Sequence, residues 1–436
     1  MYKQNKLKNG LSLITAPSRG TMTATILIMV GTGAKYENKK NSGLSHFLEH
    51  AFFKGTKKRP TAHSIVSELD GLGCDYNAFT GKEYTGYYIK VDNTKLNRAI
   101  DILSDMFLNS KFDASEINRE RGVIIEELNM YRDNPMMYIE DIFEECLYGD
   151  TPAGRDTIGT KENILNLKRK EFVDYVNSQY GPENTCVVVS GNISEKKIMT
   201  EINKKFNTKA FSERGKKFIE KERVVEEQKK KKVKLHYKKT DQAHLSLGVR
   251  SYAYDHKDSQ ILKIISVILG GSMSSRLFIN LRERNGLAYY VRTGVETYSD
   301  AGYITSQAGV PVDKIEKAIE IIVAEYKKIK TKLVDPAELK KVKDLIAGKI
   351  AIQLESSDNV ANWYGRQAVL ASTVERENKG KKVKIISPEE ALKQVKRVTT
   401  KDIKRVAEEL FRTEMLNLAI IGPYKDAKKF EKLLKI

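Results

Sequence analysis

Three residues that can hold or serve a metal ion lie close together in the segment GLSHFLEHAFFKGT at 43–56: His46, Glu49 and His50. The apolar pattern of this segment predicts a helix, and positions three and four apart on a helix share one face. Two imidazoles at this spacing can bind one zinc ion, which typically takes His and carboxylate ligands at catalytic sites. Glu49 suits the part of a general base that deprotonates a water beside the metal. The pattern therefore predicts a zinc site with its own base.

A catalytic zinc site needs about three protein ligands, and the segment ERGVIIEEL at 120–128 offers the best candidate for the third. Glu120 and Glu127 are seven positions apart and lie within about 20° of one helix face, whereas Glu126 points away. We predict that Glu127 is the third ligand and that Glu120 hydrogen-bonds a ligand imidazole from outside the ligand set. Taken alone, the two glutamates would more often form a solvated helix face, so this interpretation depends on the histidine pair.

The elements that must position these residues can be predicted from the surrounding pattern. Residues 11–17 and 23–33 are apolar and rich in β-branched side chains, which predicts two strands leading into the histidine helix. Residues 83–91 alternate aromatic and polar side chains, as a half-buried strand does. Helices are predicted at 61–72, 96–109 and 114–132. The last of these carries both glutamates.

The order of predicted elements recurs in the second half of the chain. Helix, strand, glycine turn and helix follow one another at 170–206, and the same series returns at 401–436. This repetition predicts an α+β protein of two homologous domains, each a mainly antiparallel sheet with helices packed on it. We expect a zinc-binding domain at 1–212, a linker at 213–228 and a second domain at 229–436. Only the first half carries the metal-binding pattern, so we expect one zinc ion per chain.

Composition narrows the class of protein. The chain has 436 residues, of which 40% are hydrophobic, enough for two or three domains with buried cores. No apolar run near the start matches a signal peptide or a membrane span, which favours a cytoplasmic protein with no membrane association. The net charge of +19 could indicate nucleic-acid binding. However, the lysines are interspersed with glutamates and no aromatic-rich basic motif accompanies them, so we expect no nucleic-acid partner.

Five segments together resemble the pitrilysin-type inverzincin metallopeptidases, a family that includes insulin-degrading enzyme and the mitochondrial processing peptidase. They are HFLEHAFFKGTKKRP, GLGCDYNAFTGKEYTGYY, INRERGVIIEELNMYRDNP, GDTPAGRDTIGTKENI and SSRLFINLRERNGLAYYV, and they are spread over most of the chain. The order His-x-x-Glu-His is the inverzincin signature. The resemblance, to short two-domain bacterial-type members, implies a zinc-dependent endopeptidase that acts on peptides or unfolded segments.

The resemblance also implies roles for residues outside the metal site. In the relatives, the strand matching 83–91 is a sheet edge that pairs with the substrate backbone, and we expect Asn77, Ala78 and Phe79 beside it to contact substrate. An Arg and a Tyr from the second domain hold the peptide carbonyl and stabilise the oxyanion formed when it is attacked. The matching residues are Arg282 and Tyr289.

The relatives enclose substrate in a chamber built from four domains, which implies that this two-domain chain works as a dimer, with a second copy or with a paralogue. Its Arg/Tyr pair would then serve the other half of the closed chamber. The alternative within the same family is a catalytically silent scaffold subunit, as found in respiratory complexes. We expect an active enzyme, because silent subunits tend to lose the residues that are complete here.

Overall fold

Two sheets, each covered by helices, form the framework of the protein in the computed structural model, which describes residues 2–436. The chain divides into two compact units. Unit 1 comprises Met1–Leu128, Asp156–Glu222 and Ile350–Ser387, and unit 2 comprises Asn129–Arg155, Arg223–Lys349 and Pro388–Ile436. No helix between residues 2 and 436 combines the length and the apolarity that crossing a bilayer requires.

Unit 1 is built on a six-stranded sheet. Its strands are β1 (Lys3–Lys6), β2 (Ser12–Pro17), β3 (Thr23–Val30), β4 (Asp75–Thr80), β5 (Thr85–Asp92) and β6 (Thr185–Gly191). They lie in the order β1-β2-β6-β3-β5-β4, and β2 with β6 is the one parallel pair in this sheet as described. The central strands β3 and β6 are buried along nearly their whole length, which suits strands covered on both faces.

Unit 2 repeats this arrangement with five strands. They are β7 (Lys232–Tyr237), β8 (Gln242–Ser251), β9 (Tyr290–Thr297), β10 (Gly302–Pro311) and β11 (Leu416–Gly422). The order is β7-β11-β8-β10-β9, and only β7 with β11 is parallel in the described sheet. Leaving β1 aside, each sheet pairs its first strand with its last in parallel and places its remaining strands in the same order. The prediction of an α+β protein with two similar, mainly antiparallel halves is confirmed.

The helices follow the predicted pattern closely. They are α1 (Leu44–Ala51), α2 (Ala62–Leu72), α3 (Leu96–Asn109), α4 (Ala114–Asp133), α5 (Pro135–Tyr148), α6 (Lys161–Asn166), α7 (Arg169–Gln179), α8 (Glu195–Phe206), α9 (Lys209–Ser212), α10 (Ser259–Gly270), α11 (Ile315–Thr331), α12 (Pro336–Gln353), α13 (Ser357–Glu377), α14 (Pro388–Arg397), α15 (Thr400–Leu410) and α16 (Ala427–Glu431). A π-helical segment spans Phe278–Glu283. The predicted helix at 96–109 is confirmed as α3, and that at 114–132 as α4.

Each unit contains one helix from the opposite half of the sequence. In unit 1, α13 packs on β3 and β6, where Ala361 and Tyr364 join Leu27 and Val188 in one buried apolar cluster. This helix lies more than 160 residues after β6 in the chain. The sheet that supports the histidine helix is therefore closed by a late segment of the sequence.

In unit 2, the corresponding helix is α5, whose Ile142 and Phe143 share a buried cluster with Tyr303 and Ile421. The two units are thus discontinuous, unlike the continuous domains expected at 1–212 and 229–436. The chain passes between the two units at several points, and one of them, between Glu222 and Arg223, lies within the expected linker at 213–228. An apolar helix face indicates that a helix is buried, but it does not indicate which of two similar sheets the helix covers.

β4 lies at one edge of the unit 1 sheet and β1 at the other, so the expectation that the strand at 83–91 is an edge is wrong. That strand is β5, and it pairs with β3 on one side and β4 on the other. Alternation of apolar and polar side chains shows that one face of a strand is buried, and it is the same for inner and edge strands. Asn77, Ala78 and Phe79 lie on the edge strand itself.

Candidate metal centre

The rotation of α1 is set by its apolar side chains. Leu44, Phe47, Leu48 and Ala51 are buried, and their spacing of three, four and seven places them on one face of the helix. The histidines and the glutamate between them occupy the remaining surface. Packing of the apolar face therefore decides where the metal-binding groups point.

A carboxylate from outside the helix fixes the start of α1. The N-cap residue Gly43 has a φ of 97° and offers no side chain to the first turn, and a Cβ there would lie 2.3 Å from the carbonyl oxygen of Ile158. Buried Glu37 instead accepts hydrogen bonds from the backbone N–H groups of Gly43 at 2.7 Å and Ser45 at 2.5 Å. Burial raises the pKa of Glu37 to about 7, although these hydrogen bonds act in the opposite direction.

The structure brings the three predicted ligands together. Nε2 of His46 lies 3.6 Å from Oε2 of Glu127, and Nε2 of His50 lies 3.4 Å from the same oxygen. One ligand atom from each residue falls within 4.8 Å of the others. Atoms held 2.0–2.1 Å from a tetrahedral zinc ion lie roughly 3.4 Å apart. The donor types and their separations fit zinc.

These contacts shift the pKa values of the predicted ligands in the metal-free protein. The imidazoles of His46 and His50, whose Nε2 atoms face its carboxylate, hold the pKa of Glu127 well below its usual range. Burial lowers the pKa of His50, but hydrogen bonds to Glu120 and Glu127 outweigh it and raise the pKa to about 9. A metal ion that binds here therefore competes with a proton for His50.

Glu120 supports the site from outside the ligand set. Its Oε1 lies 2.9 Å from Nδ1 of His50, which leaves Nε2 of that ring facing Glu127. Its Oε2 lies 2.6 Å from Nζ of Lys54. Burial raises the pKa of Glu120, but the hydrogen bonds from His50 and Lys54 prevail and lower it. An ionised partner on Nδ1 fixes the imidazole tautomer that a metal needs.

Glu49 has a different environment on the same helix. Its Oε2 accepts a hydrogen bond of 2.5 Å from Oγ1 of Thr80, the last residue of the edge strand β4. Burial raises the pKa of Glu49, and the hydrogen bond from Thr80 opposes this effect. A carboxylate with a raised pKa and one oxygen unoccupied by Thr80 is suited to accept and return a proton.

The three predicted substrate residues, Asn77, Ala78 and Phe79, lie along β4. Ala78 lies two positions before Thr80 and so shares its face of the sheet. Phe79 lies on the opposite face and packs against Gly86, where a Cβ would come within 2.2 Å of its ring. Phe79 thus has a packing role, and β4 offers its outer main-chain groups, which pair with no strand in residues 2–436. Asn77 is exposed on the same strand.

Arg282 and Tyr289 lie together in unit 2, while the metal-binding residues lie in unit 1. Nη1 of Arg282 donates a hydrogen bond of 2.8 Å to the backbone oxygen of Tyr289, and the guanidinium lies 5.4 Å from the centre of the Tyr289 ring. A second ring, Phe278, is 5.0 Å away. Tyr289 is 76% exposed. The two side chains are thus held against each other and exposed to solvent.

Three residues that support the site were not predicted from the sequence: Glu37, which holds the start of α1, Lys54, which contacts Glu120, and Thr80, which contacts Glu49. Capping rules look for Ser, Thr, Asp or Asn at the N-cap position, and Glu37 lies six residues before it. Lys54 follows His50 by one helical repeat, but α1 ends at Ala51. Thr80 had a usable signal, because it directly follows the residues 77–79 that were already expected to contact substrate.

Two family models and a full-length relative match the chain. The model described as insulinase (peptidase family M16) matches residues 13–161, and that described as peptidase M16 inactive domain matches 166–346. The "uncharacterized zinc protease YmxG" of Bacillus subtilis is 32% identical over 424 residues, covering 97% of this chain and 98% of that protein. The chain belongs to peptidase family M16. The predicted family is therefore confirmed.

The M16 fold is also evident in solved structures. A protease from Helicobacter pylori superposes with a TM-score of 0.86 at 23% identity, covering 97% of this chain and 99% of that one. A chain of complex III2 from Candida albicans, solved with Inz-5 bound, gives a TM-score of 0.78 at 15% identity and covers both chains completely. Of the two M16 models, the one described as an inactive domain covers Arg282 and Tyr289, and the other covers the histidine pair and Glu127.

Proposed function

We propose that this chain is a zinc-dependent endopeptidase that cleaves peptides or unfolded segments. The observation that carries the proposal is the convergence of His46, His50 and Glu127 at zinc-ligand separations with Glu49 beside them. The name of the B. subtilis relative as a zinc protease supports the same class.

Each residue of the centre has a separate task in this proposal. His46, His50 and Glu127 hold one zinc ion per chain, and Glu120 orients His50. Zinc, when bound, supplies Lewis acidity toward the peptide carbonyl and lowers the pKa of water. Glu49 takes the proton of the attacking water and passes it to the leaving amine.

Substrate is proposed to bind as an additional strand on the outer edge of β4, at Asn77, Ala78 and Phe79. Main-chain pairing would accept many sequences, which suits a peptidase of broad choice. Arg282 and Tyr289 are proposed to hold the scissile carbonyl and stabilise its developing negative charge. Their exposed, paired arrangement leaves them able to contact a bound peptide, and we propose that they act on the centre of a partner chain.

We further propose that two chains, either two copies or a copy and a paralogue, close a chamber around the substrate. A cytoplasmic site of action belongs to the same proposal. It is supported by three free thiols, Cys74, Cys146 and Cys186, because unpaired cysteines suit a reducing compartment.

The test is metal content together with peptide cleavage. Purified protein should contain about one zinc ion per chain, lose activity when the metal is removed with a chelator and regain it with added zinc. His46→Ala combined with His50→Ala should abolish both zinc retention and cleavage. Full peptidase activity in metal-free protein, or wild-type zinc affinity in the double variant, would overturn the assignment.

The alternative is a catalytically silent scaffold subunit of the same family. The likeness to a chain of the C. albicans complex III2 favours it only at the level of the fold. The two functions differ in one readout, because a scaffold subunit would leave a peptide library uncut at any zinc concentration. Mass spectrometry of a digested library distinguishes them and also identifies the cleavage preference.

A further inference from the structure

Lys54 is a charged residue at the metal centre to which the proposed mechanism assigns no task. Its Nζ lies 2.6 Å from Oε2 of Glu120, and both side chains are largely withdrawn from solvent, at 25% and 8% exposure. The other carboxylate oxygen of Glu120 contacts Nδ1 of His50 at 2.9 Å. A continuous chain of contacts thus runs from Lys54 through Glu120 to a proposed zinc ligand.

The geometry makes the orientation of Glu120 depend on both partners. A carboxylate on a flexible side chain has two equivalent oxygens and no intrinsic reason to aim one of them at His50. With Lys54 holding Oε2, Oε1 remains for the imidazole. A buried carboxylate also needs a compensating charge, and once the imidazole has given up its proton to bind a metal, Lys54 is the cation that remains in contact with Glu120.

The turn that carries Lys54 is held rigidly on the protein. Gly55 adopts a φ of 131°, and a Cβ there would lie 2.6 Å from the oxygen of Pro60. Arg59, only 1% exposed, bonds Asp105 at 2.7 Å and Asp101 at 2.8 Å, both on α3. The ammonium group of Lys54 is therefore presented to Glu120 from a fixed backbone and not from a mobile loop.

We propose that Lys54 is a positioning residue of the metal centre, which holds Glu120 in the orientation that supports His50 and thereby increases the affinity for zinc. The inference rests on the proposed zinc site. It assigns Lys54 no contact with substrate or with the reacting atoms. Its effect is on metal retention, which can be measured without any peptidase assay.

The experiment is a zinc titration of full-length protein in competition with a chromophoric chelator. Lys54→Met should weaken zinc binding by roughly tenfold, the lower end of the range seen when outer partners of metal ligands are removed. Lys54→Arg should stay within about threefold of wild type, because the guanidinium keeps the positive charge. Rescue by arginine distinguishes a charge that positions Glu120 from a side chain that only fills space.

Lys58→Met is the matched control. Lys58 lies on the same turn and pairs with Asp101 at 2.5 Å, which has no contact with the metal-binding residues. This variant should bind zinc as wild type does, and metal-free Lys54→Met should keep a cooperative unfolding transition, so that its weaker zinc binding does not reflect an unfolded protein. Wild-type zinc affinity in Lys54→Met, or equal losses in Lys54→Met and Lys54→Arg, would overturn the inference.

Two further outcomes are decisive. If Lys54→Met does not fold, Lys54→Gln and Lys54→Arg replace it, and equal zinc affinities in these two variants would refute a role for the charge. If wild-type protein binds no zinc, the proposed metal site fails and this inference fails with it. Zinc binding by wild type with no effect at Lys54 would leave the metal site standing and remove only the role of Lys54.

Discussion

Glu49 and Glu127 carry the same functional group a few ångströms from the same metal centre, and their surroundings prepare them for different tasks. Burial dominates at Glu49 and raises its pKa. The two neighbouring imidazoles dominate at Glu127 and keep its carboxylate ionised. A group that must gain and lose a proton benefits from the first environment, and a metal ligand benefits from the second.

Exchanging each glutamate for its amide should separate these tasks. Glu49→Gln should retain zinc at wild-type affinity but lose cleavage by at least roughly a hundredfold, since a general base is removed. Glu127→Gln should weaken zinc binding itself, because the amide oxygen is a poorer ligand than a carboxylate. Zinc analysis and a peptide assay on both variants check this. Loss of zinc in Glu49→Gln with none in Glu127→Gln would mean that the roles are reversed and that Glu126 needs testing.

Thr80 offers a second test at the level of single residues. Thr80→Val keeps the shape of the side chain but removes the donor to Glu49, and should lower kcat by roughly tenfold as the base loses its fixed orientation. KM and zinc affinity should change little. Thr80→Ser keeps the hydroxyl and should behave as wild type in the same steady-state assay. A serine variant as impaired as the valine variant would contradict the role of the hydrogen bond.

At the level of elements, the metal centre depends on how α1 is anchored. Its first turn is held by Glu37, a buried acid whose pKa of about 7 in the folded protein exceeds the ordinary glutamate value of 4.5. Its protonated form is therefore favoured by folding. The stability that protonation contributes is fully present below pH 4.5 and is lost as the pH rises through 7.

Glu37→Gln removes this titration and gives a direct measurement. The free energy of unfolding of wild type relative to Glu37→Gln should fall between pH 5 and pH 8, since the uncharged amide does not titrate. Urea unfolding of both metal-free proteins at each pH checks the direction, and other titrating groups cancel in the difference. A constant difference across this range would show that Glu37 keeps an ordinary pKa.

Sequence reasoning was most successful for local elements and least successful for their partners. The 3.6-residue period located α3 and α4. The spacing of seven residues also indicated that Glu127, and not its neighbour Glu126, shares a helix face with Glu120. Periodicity could not tell an inner strand from an edge, so β5 was taken for the edge that β4 occupies. The contacts of Glu37, Lys54 and Thr80 join distant segments through side chains, and no local rule contains such information.

At the scale of the whole molecule, each unit contains a helix from the opposite half of the sequence, α13 in unit 1 and α5 in unit 2. This arrangement predicts how the protein behaves when its chain is cut. Lys229 and Lys230 are exposed and lie outside regular structure, so a specific protease site can be inserted between them. After cleavage, the first fragment still carries α5 of unit 2 and the second still carries α13 of unit 1. The fragments should remain together on native size-exclusion chromatography, because separation would expose two apolar clusters. Separation without denaturant would contradict this packing.

The proposed dimer predicts complementation between two inactive variants. Glu49→Gln lacks the base, and Arg282→Ala with Tyr289→Phe lacks the carbonyl-binding pair. If the pair acts on the partner's centre, random 1:1 mixing of exchanging subunits should restore about a quarter of wild-type sites. If it acts within its own chain, every site keeps a defect. A mixture shown to contain heterodimers but without activity would refute the shared site, and a strictly monomeric active protein would refute the dimer.

The late position of α13 in the sequence also affects how unit 1 folds during synthesis. The sheet of unit 1 has all its strands once Gly191 is synthesised, but the helix that closes it ends at Glu377. At the usual 5–20 residues per second, a ribosome needs roughly 10 to 40 s to make the intervening stretch. During that interval Leu27 and Val188 have no covering helix. The growing chain should therefore be a client of chaperones that bind exposed apolar strands, and its folding should be completed late in translation.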